Sequence, residues 1–119
     1  MKYNYPDLAS AYESEESVPI NKALMQMIGP GPALLIQFLY TAYEQRQMEA
    51  LCVYSTTMAE QLGLTSREVE KYRRVCEKIG LFTSELMSRK LMLREYYLDY
   101  PALLDLYRQH KEKGASING

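Results

Sequence analysis

Arg67, Lys71, Arg74 and Lys78 recur at steps of four, three and four residues. On an α-helix, where each residue turns the chain by about 100°, the four fall within about 60° of arc. Val69, Tyr72, Cys76 and Ile79 fall on the opposite side. One helix would thus have an apolar face to bury and a basic face to offer. Lys and Arg contacts to phosphate supply most of the affinity of non-specific DNA binding, and arginine can read guanine through a bidentate pair in the major groove. The candidate DNA contacts are Ser66, Arg67, Glu70, Lys71, Arg74 and Lys78, with Arg89 and Lys90 reaching the backbone from a later hairpin. The competing reading is a solvated face, in which Lys71 or Arg74 pairs with Glu70 or Glu77 at the surface. Glu68, Glu70 and Glu77 count against DNA, because a carboxylate in the groove repels phosphate unless it accepts from a cytosine amino group.

The segment from Ser55 to Leu81 must position the stripe, and it reads as two helices joined by a tight turn. Ser55 or Thr56 would cap the first helix, with Glu60 partly completing a capping box, and Gly63 would end it. Thr65 or Ser66 would cap the basic helix, and Gly80 would stop it. Upstream, Asn21 caps a brief helix from Lys22 to Ile28, Gly29-Pro-Gly-Pro32 breaks it, and an apolar helix runs from Ala33 to about Gln47. Leu51–Tyr54 reads as a short strand. Downstream, 81–87 and 91–98 read as two strands around a tip at Ser88-Arg-Lys90. Pro101 opens a last amphipathic helix, apolar at Leu103, Leu104, Leu106 and Tyr107, that ends near Gly114. Residues 1–17 form an acidic arm, 18–113 the domain and 114–119 a flexible tail.

Other chemistry finds little support in the residues present. A single histidine, His110, lies in a polar stretch, so no Ser-His-Asp set assembles. No glycine-rich phosphate loop occurs, since Gly29-Pro-Gly-Pro32 lacks the Lys and Ser/Thr such loops use. The chain therefore reads as a non-enzyme with no cofactor and no metal. Cys52 and Cys76 form no CxxC pair and are expected as buried small apolar residues. Eleven tyrosines against two phenylalanines and no tryptophan put polar-tipped rings near the end of the chain, where Tyr96, Tyr97, Tyr100 and Tyr107 read as the rim of the core.

At 119 residues with net charge −1, the chain fits one soluble domain. Its charge is unevenly spread. Residues 1–17 hold one basic residue against four acidic ones, whereas 55–94 hold eight basic against five acidic. No apolar run approaches the roughly 20 residues that span a bilayer, and the first residues lack the apolar core of a secretion signal. A cytoplasmic protein without membrane contact is expected.

The order of helix, helix, short strand, helix, turn, helix, two-stranded hairpin and helix resembles a winged helix-turn-helix, mainly α with a small β-wing in a single domain. Within that class the chain is similar to the amino-terminal domains of DnaD-type phage and plasmid replication proteins. The resemblance rests on Ile28-Gly-Pro30 before the apolar helix 33–43, Ser55-Thr-Thr-Met-Ala-Glu-Gln-Leu-Gly-Leu64, and Tyr96-Tyr-Leu-Asp-Tyr-Pro-Ala-Leu-Leu104 leaving the wing. It implies a regulator of transcription or replication in a mobile element that binds double-stranded DNA. Proteins of this type usually carry a second domain, and these 119 residues end after the first.

The apolar helix from Ala33 is either the core or a homodimer interface, formed by Leu34, Leu35 and Phe38 with Leu103, Leu106 and Tyr107 of the last helix. A two-fold dimer would set two basic helices on successive half-sites. The alternative function is a protein-interaction module that contacts a replication or transcription partner without binding DNA, using the acidic arm.

Overall fold

In the computed structural model, residues 21–46 and 50–118 are described, with side-chain surroundings for 21–44 and 50–112. The elements are α1 (Lys22–Ile28), α2 (Pro30–Arg46), β1 (Leu51–Tyr54), α3 (Ser55–Leu62), α4 (Ser66–Ile79), β2 (Phe82–Ser88), β3 (Leu93–Leu98) and α5 (Tyr100–Asn118). The architecture is mainly helical, with one small antiparallel sheet in the order β1-β3-β2.

α1 matches its expected bounds, and the Asn21 side chain accepts from the Leu24 amide at 3.1 Å. The break after it is sharper than the Gly-Pro-Gly-Pro run suggests. Gly29 alone closes α1, donating to the Met25 carbonyl at 3.0 Å, while its own carbonyl accepts from Ala33 at 3.2 Å and opens α2. α2 therefore begins at Pro30, not at Ala33. Both prolines are admitted because the first turn of a helix has no intrahelical use for its amide protons.

α2 is the central helix. Ala33, Leu35, Ile36, Leu39 and Tyr43 are buried, and α2 packs against α1, α3, α4 and the sheet. Leu35 lies in this core, as does Leu103 of α5, so neither is available to a second copy. Leu34, Phe38, Leu106 and Tyr107 are half-buried against the same cluster.

α4 crosses α2 at its first turn. An alanine Cβ built at Gly31 would lie 2.3 Å from Cζ of Tyr72, so the ring sits directly on the Gly31 backbone. Gly31→Ala would gain about 1 kcal/mol of helix propensity but must displace that ring, and overpacking of this kind costs about 1–3 kcal/mol. The expected result is a net loss near 1 kcal/mol in urea unfolding, recovered when Tyr72→Leu is added. A single variant as stable as the parent would mean that the ring moves aside freely.

The inner sheet face carries Leu51, Val53, Phe82, Tyr96 and Leu98 into the core. Phe82 and Tyr96 meet edge-to-face, with centroids 5.3 Å apart. Tyr96 is fully buried rather than at the rim, and the Tyr43 hydroxyl donates to its carbonyl. Burial pushes its phenol up to about 12. Tyr97 and Tyr100 are exposed, and Tyr107 is half-buried. The two thiols also part. Cys76 is buried and held up to about 12 by desolvation, whereas Cys52 is exposed because strand alternation turns it to the outer sheet face.

The last helix begins at Tyr100, where the Asp99 carboxylate accepts from the Ala102 amide at 3.0 Å. It passes Gly114 and reaches Asn118, so the expected tail is helical almost to its end. One interior glycine costs only about 1 kcal/mol and does not have to stop a helix. The acidic arm of residues 1–17 lies outside the described residues, as do 18–20 of the expected domain.

Candidate nucleic-acid interface

Local chemistry fixes both ends of α4. The Thr65 hydroxyl accepts from the Glu68 amide at 3.1 Å, and the Glu68 carboxylate accepts from the Thr65 amide at 3.0 Å. This reciprocal capping box satisfies two first-turn donors, and such a cap is worth about 1 kcal/mol. Thr65 is therefore the cap, and Ser66 is exposed in the first turn. Gly63 before the turn (φ 70°) and Gly80 after the helix (φ 91°) take the left-handed conformation that lets a glycine close a helix. The helix before the turn starts differently from expectation. Ser55 is already helical, Tyr54 is the N-cap without a side-chain bond, and the Glu60 capping box does not form.

Arg67, Lys71, Arg74 and Lys78 are all exposed along one arc of α4, and among the described residues none makes an ion pair. On the opposite arc Val69 and Cys76 are buried and Tyr72 half-buried. Ile79, expected inside, is exposed, because it lies at the edge of the apolar arc in the last turn.

The carboxylates of α4 are occupied elsewhere. Glu68 closes the capping box. Glu70, expected to face the groove, turns inward about 60° of arc from Arg67. It accepts from the Ser55 hydroxyl at 3.0 Å and from Arg73 Nε and Nη2 at 3.1 and 2.8 Å. Arg73 Nη1 donates to Glu77, which also accepts from the Ser84 hydroxyl at 2.5 Å. Ser84 in turn accepts from Arg94 at 3.1 Å. The Tyr96 hydroxyl and Arg94 Nε lie buried beside this network without a hydrogen-bond partner among the described residues.

Arg73 is thus the cation that pairs with Glu70 and Glu77, in place of Lys71 or Arg74. It is buried and links two carboxylates on its own helix. Through Ser55, Ser84 and Arg94 the same chain ties α4 to α3, β2 and β3. The readable signal was the spacing Glu70, Arg73, Glu77, with i,i+3 and i,i+4 partners around one arginine.

The pKa of Glu70 follows from this setting. Burial pushes its carboxyl up, but the hydrogen bonds and charge of Arg73 and the Ser55 hydroxyl outweigh burial and hold it below the ordinary value. A depressed carboxyl binds its proton more weakly folded than unfolded. Its contribution is therefore present above the ordinary glutamate range, near pH 4.5, and is lost as pH falls through the folded value. Urea midpoints should drop between about pH 5 and pH 3, and Glu70→Gln should flatten that drop. An equally steep fall in the variant would mean that other carboxylates carry the acid sensitivity.

The hairpin lies alongside α4. Its first residues meet the C-terminal half of the helix at Ser84–Glu77. Its far end returns to the N-terminal half, where the Ser55 amide donates to the Met92 carbonyl at 3.0 Å and the Ser55 hydroxyl donates to Glu70. Arg89 and Lys90 are exposed at the tip. β3 begins at Leu93, two residues later than expected, because a turn over 89–92 lengthens the tip.

The eight expected contacts therefore separate into seven exposed residues (Ser66, Arg67, Lys71, Arg74, Lys78, Arg89 and Lys90) and the inward Glu70. Among the described residues no group of three or more His, Cys, Asp or Glu side chains has a geometry that could hold a metal. No described helix is long and apolar enough to cross a membrane. Comparisons with protein-family models, curated proteins and solved structures find no match to this chain.

Proposed function

We propose that the protein is a winged helix-turn-helix that binds double-stranded DNA, with α4 in the major groove and the β2–β3 hairpin as the wing on the backbone. The observation that supports this is the division of charge on α4. Four cations stand exposed on one arc, and all three carboxylates of the helix are engaged by the Thr65 cap or by Arg73. The repulsion that these carboxylates would bring to a groove is thereby removed from the presented face. A solvated face, by contrast, would leave Glu70 and Glu77 free to neutralise Lys71 or Arg74 at the surface. The reading is of a cytoplasmic binding protein without catalysis, regulating transcription or replication in a mobile element.

Fluorescence anisotropy with a mixed-sequence duplex tests it. Four phosphate contacts imply a slope near −3.6 in log K against log salt, so affinity should fall about 150-fold between about 50 and 200 mM salt. Absence of binding at the lower salt rejects the reading. It would leave the rival, a domain that recruits a replication or transcription protein, for which a pull-down with and without residues 1–17 is the direct assay.

A homodimer belongs to the proposal as its second element. With Leu35 and Leu103 in the core, the remaining face is Leu34, Phe38, Leu106 and Tyr107, beside the exposed Tyr40, Tyr100 and Leu104. Two copies would present two basic arcs to half-sites about 34 Å apart. Light scattering at tens of micromolar should give twice the chain mass; a monomer mass rules out this element.

A further inference from the structure

The tip of the hairpin has the wrong residues for an ordinary turn. Hairpin tips favour Gly, Asn or Asp, which accept positive φ and leave nothing apolar in water. Here the turn is Arg89-Lys90-Leu91-Met92, and Met92 holds φ 51° without being glycine. Leu91 is 54% exposed, Met87 is 53% exposed, and Leu86 is also exposed. The strand register breaks between Leu86 and Ser88, so Met87 stands as an extra residue on its strand. A bulge of this kind re-aims a side chain at the edge of a sheet. Strain and exposed apolar surface at one spot point to a use outside the fold.

Charge identifies the partner. Two exposed cations, Arg89 and Lys90, stand at the tip, and no carboxylate lies between Leu86 and Arg94. Place identifies it further. Ser55, itself buried, holds the Met92 carbonyl with its amide and Glu70 with its hydroxyl, so the base of the tip is joined through the start of α3 to Glu70 in the N-terminal half of α4. An apolar point flanked by cations and registered to a basic helix matches a nucleic-acid wedge. Side chains such as Leu and Met can enter a base step from the minor groove, unstack it and kink the duplex.

We infer that Met87 and Leu91 act as a wedge that unstacks and bends duplex DNA while Arg89 and Lys90 hold the flanking phosphates. This rests on the DNA-binding reading above and deepens it. Pyrimidine–purine steps open most easily, so the preferred site would carry a TA step where the tip falls.

The test uses the full chain and duplexes of otherwise mixed sequence, each with 2-aminopurine at a TA step placed at successive positions and dyes at both ends. Anisotropy reports binding, 2-aminopurine fluorescence reports unstacking, and energy transfer reports the bend. For the parent protein, fluorescence should rise at least twofold at one position and the ends should approach. Met87→Ser/Leu91→Ser, which changes two exposed side chains, should bind within about tenfold of the parent yet lose both signals. Binding by the parent without unstacking overturns the wedge and leaves DNA binding intact. Unstacking by the double variant equal to that of the parent also overturns it. No binding at low salt overturns both readings. A parallel sedimentation with vesicles containing one quarter phosphatidylserine completes the set, because tip-dependent vesicle binding without unstacking would assign the tip to a membrane instead.

Discussion

Arg73→Ala should lower the stability of the domain by about 3 kcal/mol, the low end of the range for breaking a buried ion pair. The low end applies because the three side chains are not fully dry, at 9% exposure for Arg73, 15% for Glu70 and 26% for Glu77. Without the guanidinium, two carboxylates remain in a half-buried cleft with, among the described residues, only Ser55 and Ser84 to donate to them. Arg73→Lys should recover part of the loss, because an ammonium keeps the charge but lacks the planar fork that reaches both glutamates. The triple change Glu70→Gln/Arg73→Met/Glu77→Gln should recover most of it, since replacing every partner leaves no buried charge unpaired. Urea unfolding at pH 7 gives the magnitudes. Near pH 3, where protonation of Glu70 removes one uncompensated charge, the deficit of Arg73→Ala should shrink. A loss below about 1 kcal/mol at pH 7 would show that the network holds little of the α4–hairpin geometry.

The network also explains why the stripe was readable in the sequence and its neighbour was not. A one-sided pattern at helical steps is a statement about one element alone, and Arg67, Lys71, Arg74 and Lys78 needed only the helix to exist. Asn21, Thr65, Gly63 and Gly80 were readable for the same reason, because capping chemistry is local. Which arginine turns inward is a tertiary fact. Arg73 and Arg74 are adjacent, and the choice between them depends on the sheet arriving beside Glu70 and Glu77. Pairing of β1 with β3 across some forty residues brings Ser55, Met92 and Glu70 together, and no local pattern encodes that meeting. Tyr96 and Cys52 depart from expectation through the same gap. Strand alternation assigns them to opposite faces, but only the packed sheet says which face is dry. Leu35 and Leu103 show the limit for apolar stripes, since core and interface use the same residue types and differ only in what covers them.

Arg67→Glu/Lys71→Glu should reduce affinity for a mixed-sequence duplex by about 100-fold or more near 0.1 M salt. Each phosphate left without its cation takes about 0.9 from the salt slope, which at that concentration is worth close to tenfold, and each reversed charge adds repulsion. The salt slope should flatten by about two for the same reason. Both residues are exposed without ion pairs among the described residues, so folding should shift by no more than about 0.5 kcal/mol. The control is Arg108→Glu/Lys111→Glu, an equal charge change on exposed residues of α5, a helix that packs against α1. If general charge attraction were responsible, the two double variants would lose affinity alike. If α4 is the contact, the α5 variant should stay within a few-fold of the parent while the α4 variant fails. Because these 119 residues carry a formal charge of −1, their attraction to DNA cannot come from the total and must come from where the cations stand. The contrast between these two variants isolates that placement, and equal losses would remove α4 from the interface.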